Sequence, residues 1–295
     1  MNPVCKRAAF PLLCLSLVFL AVSASPVFGR DDRSEWTNGL NPPDRQKKMD
    51  RADMEATAQR FVRAYPEACL TLEWAGDNLY LRAGQRRLLF SPIEGCPPPS
   101  VLSDRFGQAS EDQALCASLV QPYPRGVNGR TPPPGFDPGR VRNEALLRLL
   151  YGNNALEAAG NCREVSFMGH KLLFNSRQGA ADALERVGEK LQDLVRHDPS
   201  LRHYIFPLEG TFMWRTVSGS GRLSPHSFGV AIDLNVGTGP YWQWPISPEA
   251  LGKARQNWPQ SVVDAFESEG FIWGGKWHSF DYMHFEYRPE LLNDQ

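Results

Sequence analysis

An excess of either charge is what this chain lacks. Its 32 Lys and Arg are answered by 33 Asp and Glu, for a formal net charge of −1. No basic field is present to draw in nucleic acid or an anionic membrane surface, so neither is expected as a partner. Cysteine is scarce, with 6 among 295 residues, and no pair stands as CxxC, which argues against a cysteine-rich structural zinc site. There is no HExxH helix, so that route to a metallopeptidase is closed. Ser227, in PHSFG, has no GxSxG elbow around it and does not read as a serine nucleophile. No internal repeat, low-complexity block or regular βαβ rhythm appears. Strands and helices are mixed, which predicts an α+β fold with a small antiparallel sheet near the C-terminus, flanked by helices.

An N-terminal apolar run covers residues 8–24, behind Lys6 and Arg7. It falls short of the ~20 residues of a spanning helix, and Pro11 interrupts it. Val22 and Ala24 are small enough for the −3 and −1 positions of a cleavage site. The expectation is a secretory signal peptide over 1–24 and a secreted or periplasmic mature chain, with an uncleaved anchor as the alternative. Cys14 follows Leu13 rather than a small residue, so it does not read as a lipoprotein cysteine. Loss of 1–24 removes Lys6 and Arg7, its only charged residues, and leaves −3. Cys69, Cys96, Cys116 and Cys162 remain, an even number that suggests two disulfides in an oxidising compartment. Of the three pairings, sequence proximity favours Cys69–Cys96 with Cys116–Cys162.

The rest divides into a linker at 25–48, an N-terminal extension at 49–137 and a C-terminal domain at 138–295. The linker is polar with adjacent prolines. The extension opens with a helix in which Met54, Ala58, Phe61 and Val62 share a face. CLTLEWAGDNLYLRAGQRRLLF then alternates like two or three short antiparallel strands. The prolines of PPPS and TPPPGFDPG mark loops. From about residue 138, RVRNEALLRLLYG reads as a helix stopped at Gly152, and EVSFMGHKLLFN as strand, turn and strand. GAADALERVGEKLQDLVRHD is the clearest helix. YIFPLEGTFMWRTV and GVAIDLNV read as strands, SPEALGKARQ and WPQSVVDAFESEG as short helices, and MHFEYR as a last strand.

Two stretches carry chemistry. SPHSFGVAIDLNV places His226 seven residues before Asp233, a carboxylate inside an apolar run. A lone buried acid costs several kcal/mol unless a cation answers it. GFIWGGKWHSFDYMHFEY adds Asp281 and, three residues on, His284. Two imidazoles and a carboxylate are a three-ligand set suited to zinc with a fourth position left for water. Gly274 and Gly275 suggest a tight turn with positive φ. Glu286 lies two residues past His284, placed either to orient a ligand or to pair with Arg288. His278 is near the site in sequence. Trp242, Trp244, Trp258, Trp273 and Trp277 suggest core and cleft packing, or a wall for sugar or peptide groups.

Taken together, Ser224, His226, Gly229, Ala231 and Asp233, followed by a Gly/Trp-rich turn and then Asp281 and His284, resemble the D-alanyl-D-alanine carboxypeptidase family of zinc metallopeptidases. That group includes vancomycin-resistance dipeptidases and carboxypeptidases and L-alanyl-D-glutamate endopeptidases. The resemblance covers roughly residues 138–292. It implies His226, Asp233 and His284 as zinc ligands and Asp281 as general base. Arg215 takes the place of the family's arginine, for the oxyanion or a substrate carboxylate, with Arg222 in reserve and Ser224 as a substrate contact or a turn cap. Many members carry glutamate where Asp281 stands, so the backbone must make up one methylene. The implied function is secreted, zinc-dependent hydrolysis of peptidoglycan stem peptides, at a D-alanyl or an L-alanyl-D-acidic bond. The alternative is a non-catalytic, zinc-containing module that binds the cell wall.

Overall fold

The computed structural model describes residues 50–92, 94–96, 114–126, 131–217 and 221–292. The expected signal peptide and linker lie outside these residues. Among them, no helix is long and apolar enough to cross a membrane.

The described residues have an α+β architecture, with three small antiparallel sheets among them. Helix α1 (Arg51–Ala64) starts at Asp50, whose side chain accepts from Asp53 N at 2.8 Å, and buries Met54, Ala58 and Phe61. The meander β1 (Thr71–Ala75), β2 (Asn78–Ala83) and β3 (Arg86–Ser91) follows. Two short helices come next, α2 (Glu144–Tyr151) and α3 (Ala155–Asn161), capped by Asn143 and Asn154. Gly152 ends α2 at φ 136°, and a Cβ there would stand 2.6 Å from Ala158 N. Helix α3 had no counterpart in the sequence reading, because ALEAAGN is too short to show a periodic face.

The hairpin β4 (Cys162–Phe167) and β5 (His170–Asn175) turns through Met168 and Gly169, both at positive φ. Positive φ at both central residues suits the right-handed strand twist. The 18-residue α4 (Ala180–His197) lies on this hairpin. A Cβ on Gly188 would be 3.2 Å from Phe167 Cα, so glycine sets how closely helix and strand approach. After the single turn α5 (Arg202–Ile205), the chain reaches the third sheet. Its order is β6 (Ala231–Asp233), β8 (His284–Tyr287), β7 (Phe271–Trp273), with α6 (Pro248–Asn257) and α7 (Gln260–Glu267) between β6 and β7. One buried cluster includes Met54, Phe61 and Phe90 from the first sheet region and Phe266, Phe271 and Phe285 from the last.

Two sequence expectations are corrected. YIFPLEGTFMWRTV is not a regular strand. Pro207 lacks an N–H to donate, and only Gly210 and Thr216 form isolated bridges, to Asp233 and Leu223. The cysteine pairing also differs: Cys96 and Cys116 are joined, with Cα atoms 5.9 Å apart, whereas Cys69 and Cys162 are free thiols. The turn Leu115–Leu119 packs against β3 and brings Cys116 beside Cys96, only 20 residues away in sequence, so that the nearest two cysteines pair and the other two stay unbridged. Burial pushes the Cys162 thiol up to about 11.

Candidate metal centre

Strand β8 has all four residues buried, and its alternation divides two jobs. Phe285 stacks on Phe266 at 3.9 Å between ring centroids, and Tyr287 meets Phe271 edge-on at 5.2 Å. His284 and Glu286 face the other way. In the register, Asp233 of β6 stands directly opposite His284, and Ala231 opposite Glu286. An antiparallel pair holds such opposed side chains within contact distance.

His226 arrives from a separate element, the 3-10 turn Pro225–Phe228. Pro225 presets its entry, and Ser224 Oγ accepts from His226 N at 3.3 Å. Gly229 closes it at φ 65°, with Gly229 N donating to His226 O at 3.0 Å. A Cβ on Gly229 would fall 2.7 Å from Cys162 Sγ, so position and conformation both demand glycine. Ser227 does not act on a substrate bond: its hydroxyl donates to Arg215 O at 2.7 Å and accepts from Arg215 N at 2.9 Å. These bonds fasten the segment before the turn to the turn itself.

One ligand atom each from His226, Asp233 and His284 lies within 4.8 Å of the others. His226 Nε2 is 3.2 Å from Asp233 Oδ2 and 3.3 Å from His284 Nδ1, and His284 Nδ1 is 2.9 Å from Asp233 Oδ1. The far side of each ring fixes its tautomer. His226 Nδ1 is 2.6 Å from Thr211 O, a group that can only accept, so Nδ1 carries the hydrogen. His284 Nε2 is 3.4 Å from Glu286 Oε2. Burial works against the Glu286 charge, but the Arg142 guanidinium, His284 and Arg288 hold it well below the usual carboxylate range. Glu286 is therefore an acceptor too, and His284 Nε2 donates. Two lone pairs, on Nε2 and Nδ1, are left pointing at one another and at a carboxylate. Such a set is repulsive until a cation enters, and its chemistry fits a divalent metal. Without one, protons fill the role. Burial opposes the charge on Asp233, yet the two histidines hold its carboxyl far below its usual range. Burial likewise works against the His284 cation, but hydrogen bonds to Asp233 and Glu286 raise it to about 9.

Asp281 follows the 3-10 turn Gly274–Lys276 and begins the approach to β8. Asp281 N donates to Gly274 O at 3.0 Å, and its backbone bridges Tyr241. Gly274 and Gly275 are not at positive φ, which corrects the sequence expectation. Close approach requires them instead: a Cβ would stand 2.5 Å from Asp281 O at Gly274 and 2.1 Å from Trp273 Cζ2 at Gly275. Asp281 Oδ1 is buried with no hydrogen-bond partner among the described residues. Burial pushes this carboxyl up to about 6; Asp233 adds to the rise, while His284 and Arg140 oppose it.

The remaining candidates are spread around this centre. Arg215 is exposed, and its charge reaches the Tyr241 hydroxyl. Arg222 is half-buried, two residues before Ser224. Ser224 is buried and caps the histidine turn. His278 is exposed. Trp258 and Trp273 stack in the core at 5.4 Å, whereas Trp242 and Trp244 are 40% and 46% exposed beside the site. Sequence reasoning passed over Thr211, Arg140 and Arg142. Arg142 forks onto Glu286, Nε to its two oxygens at 2.7 and 2.9 Å. No local pattern in RVRN announces this, because the partner is 144 residues away.

No solved structure matches this chain. Residues 218–287, which hold all three members of the histidine–aspartate cluster and Asp281, match a family model described as D-alanyl-D-alanine carboxypeptidase. The motifs and the match agree: over residues 218–287 the chain is similar to the D-alanyl-D-alanine carboxypeptidase family.

Proposed function

We propose that this protein is an exported zinc peptidase that hydrolyses peptidoglycan stem peptides, at a D-alanyl or an L-alanyl-D-acidic bond. The observation that carries the proposal is the cluster of His226 Nε2, His284 Nδ1 and Asp233, with both outer ring nitrogens already committed to acceptors. His226, Asp233 and His284 would hold the ion. Zinc, when bound, lowers the pKa of a coordinated water to about 7 and polarises a carbonyl. Asp281 takes the proton of the attacking water and passes it to the leaving amine. Its partnerless oxygen and raised carboxyl, at about 6, suit a base that must both accept and release near neutrality. Arg215 offsets charge developing on the carbonyl oxygen, Arg222 contacts the substrate, and Ser224 keeps the histidine turn closed. The N-terminal run of residues 1–24 supplies the export signal, 138–295 the catalytic domain and 49–137 an extension built against it.

The test is zinc content together with digestion of intact peptidoglycan, with the products weighed by mass spectrometry. Stoichiometric zinc and release of D-alanine or of cut stem peptides are expected. Zinc without any product would overturn the peptidase and leave a wall-binding module.

A further inference from the structure

Asp281 Oδ1 is buried without a hydrogen-bond partner among the described residues, so the backbone around it, rather than a side-chain bond, sets where that oxygen stands. That backbone is the run from Trp273, at the end of β7, through the turn Gly274–Lys276 to Asp281. Within the run, Trp277 N and Asp281 N both donate to Gly274 O, at 3.3 and 3.0 Å. Its other fastenings come from far up the chain, from partners 139 to 152 residues earlier.

The fastening has two parts. Tyr123 is buried, and its hydroxyl accepts from Trp273 N at 2.8 Å and donates to Glu267 Oε1 at 2.7 Å. Lys276 Nζ donates to Pro124 O at 2.6 Å and to the same Glu267 oxygen. Farther along, Phe136 O accepts from His278 N at 2.8 Å, and Trp277 Nε1 donates to Pro138 O at 2.7 Å. Asp137 receives Ser279 twice, N on Oδ1 at 2.8 Å and Oγ on Oδ2 at 3.2 Å. Gln121 joins the two parts: its Nε2 donates to Gly135 O at 2.7 Å, and its Oε1 accepts from Asp137 N at 2.8 Å. Upstream, the Cys96–Cys116 bridge ties the same stretch of chain to the end of the first sheet.

A buried donor left without an acceptor costs about 1–3 kcal/mol, so each of these bonds resists displacement of the run. Ser279, two residues before Asp281, is held by all its polar groups, because Arg140 Nη1 also donates to its carbonyl oxygen. None of these bonds involves His226, Asp233 or His284, which stand on the histidine turn, β6 and β8. The ligand atoms and the carboxylate beside them are therefore positioned by different parts of the chain.

We propose that residues 121–126 and 131–138 are a brace that sets Asp281 against the metal centre, with Asp137 and Tyr123 as positioning residues. The catalytic consequence rests on the peptidase reading; the brace itself does not. The hydrolytic unit then begins well before the family-like segment 218–287, and the N-terminal extension completes it.

The experiment compares the zinc-loaded full chain with Asp137→Ala, Asp137→Asn and Tyr123→Phe. Amide hydrogen exchange, zinc affinity by chelator competition, and kcat and KM on a stem peptide are measured well below each melting temperature. In Asp137→Ala, exchange over residues 277–281 should quicken about tenfold or more while that of α4 stays unchanged. Its kcat should fall roughly tenfold to a hundredfold, as for a misplaced catalytic group. KM and zinc affinity should stay within about threefold, because neither ground-state binding nor the ligands have been touched. Asp137→Asn keeps an oxygen for Ser279 N and should hold kcat within about threefold of the unaltered protein. Tyr123→Phe keeps the ring, should loosen the same run at Trp273, and decides the matter if Asp137→Ala does not fold. Unchanged exchange, faster exchange with full turnover, an asparagine variant as slow as the alanine one, or zinc affinity falling in step with kcat would each overturn the brace. No turnover by the unaltered protein would remove the peptidase, and the exchange pattern would then decide the brace by itself.

Discussion

Asp233 and His284 stand opposite one another across the β6–β8 pair, with His284 Nδ1 2.9 Å from Asp233 Oδ1. The ladder between these two strands therefore sets the distance between a base and an acid that flexible loops would leave variable. The third group, His226, is carried in by a proline-initiated, glycine-terminated turn. Rigid elements supply all three ligand atoms, which is the condition for a preorganised metal site.

Metal uptake should release a proton and strengthen with pH. Burial opposes the His284 cation, but its bonds to Asp233 and Glu286 raise it to about 9 in the metal-free protein. Below that pH the ring is charged, and zinc must displace the proton at Nδ1. Affinity is expected to climb by up to about tenfold per pH unit from 6 towards 9, with close to one proton released at pH 7. Calorimetry in buffers of different ionisation heat counts that proton. A count of zero would mean that His284 is neutral before the metal arrives.

Asp281→Asn should make the metal-free protein more stable and the enzyme far slower. Burial raises this carboxyl to about 6, above its value in an unfolded chain. An acid raised on folding favours the protonated native state, so stability is lost as pH climbs from about 4 through 6. At pH 7 the asparagine variant should gain on the order of 1–3 kcal/mol, and the gain should vanish below about pH 4. Turnover should fall roughly 10²–10⁴-fold. Denaturant melts at the two pH values, with rates on a stem peptide, check both halves. A variant with unchanged turnover would remove Asp281 as the base.

Glu286→Gln tests the support behind His284. The carboxylate is fully buried between Arg142, Arg288 and His284. A neutral amide would leave the partly buried Arg142 without its anion and Arg288 with Glu290 alone, at a cost of up to about 3–5 kcal/mol. It would also loosen the tautomer of His284 and weaken zinc binding by about 10–100-fold. Thermal melts of the zinc-free protein and competition with a chelator separate the two effects. If zinc affinity held while stability fell, Glu286 would be a structural partner of the arginines alone.

What could be read in the chain, and what could not, follows the range of the interactions. Helix α4 is written in apolar three- and four-residue steps, and the hairpin β4–β5 in alternation around Met168 and Gly169. Residues 204–217 look like a strand by composition, but Pro207 has no N–H to give a ladder, and the segment is held by scattered bonds to β6 and the histidine turn. Gly274 and Gly275 do sit in a tight turn, but not at positive φ; the close approach of Asp281 and Trp273 is what requires glycine there. Cys116 pairs with Cys96 because the turn Leu115–Leu119 packs on β3. Helix α3 is too short to declare a face.

The chain's own order of residues settled which groups could meet a cation: the histidine and aspartate within SPHSFGVAID and the histidine of DYMH are fixed there by local spacing, turn chemistry and strand alternation. Tertiary structure alone decided that β6 and β8 pair in the register that opposes Asp233 to His284. It also brought Arg142 to Glu286 across 144 residues and set Arg140 between two tryptophans. Short-range patterns are properties of adjacent residues, whereas a charge pair or a guanidinium on a ring depends on where separate elements pack, and packing is decided by the shared core.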